Sequence, residues 1–134
     1  MGKFESFNEN LLSREVLNIA YEVHTKLGPG LLENAYKQVL FFKLNQAGFQ
    51  VEIEKPMPLI IDEIKLDVGY KIDLLVENKL VLELKSVESL TDIHEAQILN
   101  YLKLGKFKLG LLINFNEVRL KYGIKRVVNG LEDQ

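Results

Sequence analysis

Apolar side chains first recur at helical spacing. Leu12, Val16, Ile19, Ala20, Val23 and Leu27 share one face of a helix expected from about Asn10 to Lys26, which Gly28 and Pro29 stop. A second helix is expected from Leu31 to Gly48, burying Leu32, Ala35, Val39 and Leu40, with Tyr36 beside them. The period then falls to two. "FQVEIE" alternates Phe49, Val51 and Ile53 against Gln50, Glu52 and Glu54, a half-buried strand, and Pro56 and Pro58 mark an edge or a bend. "LIIDEIKLDV" reads as another strand or a hairpin turning near Asp62-Glu63. Thr91 can cap a third helix to about Leu104, ended by Gly105. "LGLLINF" suits a central strand covered on both faces, and "IKRVV" a short last strand. This order of helices, antiparallel strands, helix and strand predicts an α/β sandwich with a mixed sheet.

Between these elements, "KIDLLVENKLVLELK" (Lys71 to Lys85) reads as two strands around Glu77-Asn78-Lys79. It carries Asp73, Glu83 and Lys85 inside apolar runs, where a charge is costly unless paired or bound to a metal. Glu83 and Lys85, two apart, share a face. Asp73 joins them only if paired residues have numbers summing to an even value, which needs an odd-length loop or a bulge. A two-residue turn at Glu77-Asn78 would put Asp73 and Glu83 on opposite faces. Asn78 tolerates the left-handed conformation that the longer loop requires. In that register the two carboxylates suit a divalent cation, with the lysine placed for a phosphate or an attacking water.

Composition narrows the chemistry. The 134 residues are enough for a core, and a single domain spanning 1–134, with its core at about 10–128, is expected. The chain has no cysteine, so any metal is held by oxygen ligands or by His24 and His94, which favours Mg2+ or Mn2+. There is no signal-peptide pattern and no apolar run long enough to span a bilayer, so a cytoplasmic location and no membrane partner are expected. Net charge is −2, but Ala96 to Leu131 holds seven basic residues and one acid, leaving the rest of the chain at −8. Lys121, Lys125 and Arg126 in this block are candidates for a polyanion face. A solvated surface accounts for the charge equally well.

Asp73, with Glu83-Leu84-Lys85, resembles the PD-(D/E)XK motif, Ile72 standing where the proline would be. Gly30-x-x-Glu33-x-x-Tyr36 resembles the signature of the GxxExxY family, a small bacterial branch of that nuclease superfamily. Gln97-x-x-x-Tyr101 resembles the QxxxY motif that follows the ExK strand in some branches. The likeness runs in order from about Asn10 to Val128.

The resemblance implies a restriction-endonuclease-like three-layer core, with a mixed sheet flanked by helices. It also implies hydrolysis or binding of nucleic-acid phosphodiesters, DNA ahead of RNA. Asp73, Glu83 and the Leu84 carbonyl would hold Mg2+ (or Mn2+), and Lys85 would act on the attacking water. Glu33 would reach the metal edge, while Gln97 and Tyr101 would position the substrate backbone. A homodimer is compatible with this reading. The alternative is a nuclease-like fold that binds nucleic acid or a protein partner without cutting.

Overall fold

The structure is a computed structural model that describes residues 2–132. Helix α1 spans Glu9–Leu27. The Asn8 side chain accepts the Leu11 N–H at 2.9 Å, satisfying one of the free donors of the first turn. Leu12, Val16, Ala20 and Val23 form its buried face. It stops at Gly28, whose φ of 67° is cheap only for glycine. Helix α2 spans Glu33–Gln46 and buries Tyr36, Leu40 and Leu44. It starts later than the apolar pattern suggested, because Gly30 and Leu31 donate their N–H groups to Asn116 Oδ1 and the Tyr36 hydroxyl.

Strand β1 (Val51–Pro56) also starts late. The Phe49 N–H still bonds the Leu44 carbonyl, and the Phe49 ring stacks on Phe4. Strands β2 (Leu59–Ile61) and β3 (Ile64–Leu66) form a separate two-stranded sheet that turns at Asp62 and Glu63, both at positive φ. Strands β4 (Lys71–Val76) and β5 (Leu80–Lys85) follow, then helix α3 (Asp92–Gly105), strand β6 (Leu109–Asn114), a short 3-10 turn at Leu120–Gly123 and strand β7 (Ile124–Val128).

The main sheet has the order β1-β4-β5-β6-β7. Only β5 and β6 run parallel, joined through α3, so the sheet is mixed as expected. Helices α1 and α2 cover one face, where Leu74, Val76, Leu82 and Leu111 meet Leu12, Val16 and Leu40. Helix α3 covers the other, packing Ile98 and Leu102 on Val81 and Leu112. Gly110 permits that approach: a Cβ there would lie 2.8 Å from Ile98 Cδ1. Strand β6 is buried at every position, which explains its unbroken apolar run. No helix among the described residues is long and apolar enough to cross a membrane.

Candidate active site

The β4–β5 ladder pairs Val76 with Leu80, Leu75 with Val81 and Leu74 with Leu82. All three sums are even. Glu77 and Asn78 turn the chain at φ 52° and 54°, the Lys79 N–H closes on the Val76 carbonyl at 3.0 Å, and Lys79 is the extra residue that sets the register. That register brings Asp73 and Glu83 together just beyond the last ladder pair, as the odd-loop alternative requires.

At that point carboxylates replace the ladder. The Asp73 N–H donates to Glu83 Oε1 at 3.2 Å, and the Leu84 N–H donates to Asp73 Oδ2 at 2.8 Å. On the β1 side, pairing steps from Ile53–Leu74 to Lys55–Ile72 around Glu54, a non-glycine residue at φ 53°. The backbone thus opens on both flanks of Asp73, fixing each carboxylate through one oxygen.

Glu83 is only 7% exposed, and its carboxyl is pushed up to about 9. Burial is the main cause, followed by the Asp73 charge and a hydrogen bond with the Asp73 side chain; the hydrogen bond from the Asp73 N–H and then the Lys85 charge pull the other way without prevailing. Without a cation, Glu83 keeps its proton at neutral pH. The buried Glu83 carboxyl and the part-buried Asp73 carboxyl beside it, with the Leu84 carbonyl next to Glu83 in sequence, form an all-oxygen donor set that fits a hard divalent ion. Among the described residues, no three Asp, Glu, His or Cys side chains gather closely enough to form a metal cluster.

Lys85 follows Glu83 on the same face, half-buried and with no ion pair among the described residues. A second lysine, Lys37 on α2, escaped the sequence analysis. Its Nζ lies 3.8 Å from Asp73 Oδ1 and 3.2 Å from Glu54 Oε1. Glu33 sits one turn before it on the same flank of α2. Two residues earlier still, the Leu31 carbonyl accepts the Ser86 hydroxyl at 2.6 Å, next to Lys85. Glu33 is therefore bracketed by two contacts to the site, although it makes no ion pair of its own among the described residues.

Tyr36, the last residue of the Gly30–Tyr36 motif, is buried and stacked on Phe115 at 4.7 Å. Its hydroxyl donates to the Gly28 carbonyl at 2.5 Å and accepts the Leu31 N–H at 3.1 Å, so it shapes the loop that carries Glu33. Tyr36→Phe should cost about 1–2 kcal/mol by leaving both partners unmatched. A thermal melt followed by circular dichroism measures this; an unchanged midpoint would mean that Ser86 and Asn116 hold the loop unaided.

Tyr101 also belongs to this neighbourhood. Its phenol is raised above its ordinary value by burial first, then by the charges of Glu83 and Asp73. Gln97, one turn earlier, is exposed and lines a cleft with Tyr101. The basic trio does not converge. Lys125 and Arg126 are consecutive on β7 and project to opposite faces. Lys125 pairs with Glu95 at 2.8 Å, Arg126 bonds Asn10, and Lys121 lies over the Tyr122 ring. Both histidines are structural: His24 Nε2 contacts the Glu117 carbonyl, and His94 Nδ1 accepts the Thr91 N–H at the start of α3. Asn114, fully buried and unmarked by any motif, bonds the Val87 N–H and carbonyl and ties the end of β6 to the chain leaving β5.

A mixed five-stranded sheet between helices, with an acid pair and a lysine where two strands part, defines a restriction-endonuclease-like core. The chain belongs to the PD-(D/E)XK nuclease superfamily, whose family model matches residues 10–127. No curated protein and no solved structure matches it.

Proposed function

We propose that this chain is a divalent-metal-dependent nuclease of the GxxExxY branch that hydrolyses nucleic-acid phosphodiesters, DNA ahead of RNA. The observation that carries the reading is the interlocked pair: Asp73 and Glu83 face each other, each fixed by a backbone N–H, with Lys85 on the same face. Asp73, Glu83 and the Leu84 carbonyl would hold Mg2+ or Mn2+. Such an ion would supply Lewis-acid polarisation of the scissile phosphate and would acidify a water. Lys85 orients that water and offsets charge developing on phosphorus. Glu33 supports the outer edge of the site, and Gln97 with Tyr101 positions the substrate.

Lys37 favours a second reading. An ammonium 3.8 Å from Asp73 gives the acids an internal cation, as in a domain that binds without cutting. Purified protein should be incubated with labelled single- and double-stranded DNA and RNA in Mg2+, Mn2+ or chelator. Cleavage that requires metal and disappears in Glu83→Gln supports the nuclease. Intact substrate in every arm, with no heat of binding on titration with Mn2+, leaves the non-catalytic module.

A further inference from the structure

A cleft of about 370 Å³ lies between α3 and the segment leading into β4. One wall is a stripe of α3, in which Gln97, Asn100, Tyr101 and Leu104 follow one another at i, i+3, i+4 and i+7; the other presents Tyr70 and Leu59. The Tyr70 and Tyr101 rings stand edge to face with centroids 6.3 Å apart, and Tyr70 is 49% exposed. Among the described residues, the side chains of Tyr70, Gln97, Asn100 and Tyr101 make no hydrogen bond within the protein. Two free amides, each both donor and acceptor, therefore flank two aromatic rings. Among the described residues no acid lines the cleft, and Lys103 is its one charged residue.

We propose that this cleft captures an unstacked nucleobase of a single-stranded nucleic acid, holding its face on Tyr70 and its polar edge on Gln97 and Asn100. Aromatic faces with uncommitted amides are what an unstacked base requires, since every base offers a π face and a polar edge. A base within a duplex is stacked on both sides and cannot enter. Tyr101 links the cleft to the acid pair, whose charges it feels. A base seated there directs its own phosphate towards Asp73 and Glu83. The inference rests on the nuclease-like reading, and it moves the role of Gln97 and Tyr101 from backbone positioning to base capture.

The test is fluorescence anisotropy on the full chain with labelled oligo(dT), oligo(U) and a blunt duplex of equal length, in Ca2+ and in chelator. Tyr70→Ala should weaken single-strand binding by roughly 5- to 150-fold, the loss typical of one base–aromatic stack, and leave duplex binding in place. Tyr70→Phe should bind like the wild type, because the ring and not the hydroxyl stacks. Tyr70→Leu keeps the apolar bulk without the π face and should repeat the loss if the alanine variant is poorly folded. The oligo(dT) and oligo(U) arms tell DNA from RNA. The proposal is overturned if the wild type binds no single strand, if Tyr70→Ala and Tyr70→Leu bind it normally, or if both strand forms weaken equally. Metal-dependent duplex cleavage with unaltered Tyr70→Ala would remove the cleft alone. Tyr70-dependent single-strand binding in a protein that takes up no Mn2+ would remove the nuclease and keep the cleft.

Discussion

Glu83→Gln should make the metal-free protein more stable above neutral pH while abolishing metal binding and cleavage. The Glu83 carboxyl titrates near 9 in the fold against 4.5 as the ordinary value. A raised acid contributes stability that is complete below about pH 4.5 and lost as pH rises through the folded value. The slope is negative because the folded state holds more protons in that window. Over the whole interval the loss is on the order of 6 kcal/mol at most, and about half of it has occurred by pH 7. Glutamine keeps the shape of the protonated acid and an oxygen for the Asp73 N–H, so its stability should not fall with pH from this source. Adding Mg2+ should restore the wild type increasingly towards alkaline pH, since the ion takes the place of the proton. A concentration of 100 Kd gives about 2.7 kcal/mol, and the glutamine variant should gain none of it. Thermal melts from pH 5 to 9, with chelator and with Mg2+, read both effects. A wild type whose midpoint neither falls with pH nor responds to Mg2+ would show that Glu83 is not a buried ligand awaiting a cation.

The acid pair was legible as residues but not as geometry. Both registers of the β4–β5 hairpin satisfy its apolar pattern in part, and the deciding feature is tertiary. Glu77, a residue with little preference for positive φ, is held there by its carboxylate on the Gln50 N–H at 2.6 Å and by its own N–H on the Gln50 carbonyl. Nothing in the hairpin reveals that partner, which is 27 residues away. Lys37 was hidden for a similar reason. On α2 it occupies the border of the apolar stripe, where lysines are commonplace, and only the fold brings Asp73 to it. Tyr36 was marked by the motif, yet its work is to shape a loop. The basic block is the opposite case: Lys125 and Arg126 are neighbours in sequence, and strand alternation sends them apart. Charge counted along a strand overstates charge gathered on a surface.

The two lysines near Asp73 should separate by function. Lys85 has no ion pair among the described residues, while Lys37 is mostly buried against Asp73 and Glu54. Lys85→Ala leaves both carboxylates, removes a charge that opposes the metal, and should keep or improve metal affinity. Cleavage should still fall by about 10²- to 10³-fold, the usual loss when one stabilising charge is removed from a transition state. Lys37→Met acts on the ground state. It strips Asp73 of its internal cation and should destabilise the metal-free protein by about 1–3 kcal/mol. It should also tighten Mg2+ binding, because the ion then meets no ammonium at that oxygen. Cleavage by this variant should follow metal occupancy and recover as Mg2+ is raised, whereas no Mg2+ concentration should rescue Lys85→Ala. Calorimetric metal titration beside single-turnover cleavage, with circular dichroism for folding, distinguishes them. Wild-type cutting by Lys85→Ala would reduce that lysine to a bystander. Weaker metal binding in Lys37→Met would mean that Lys37 orients Asp73 for the ion rather than competing with it.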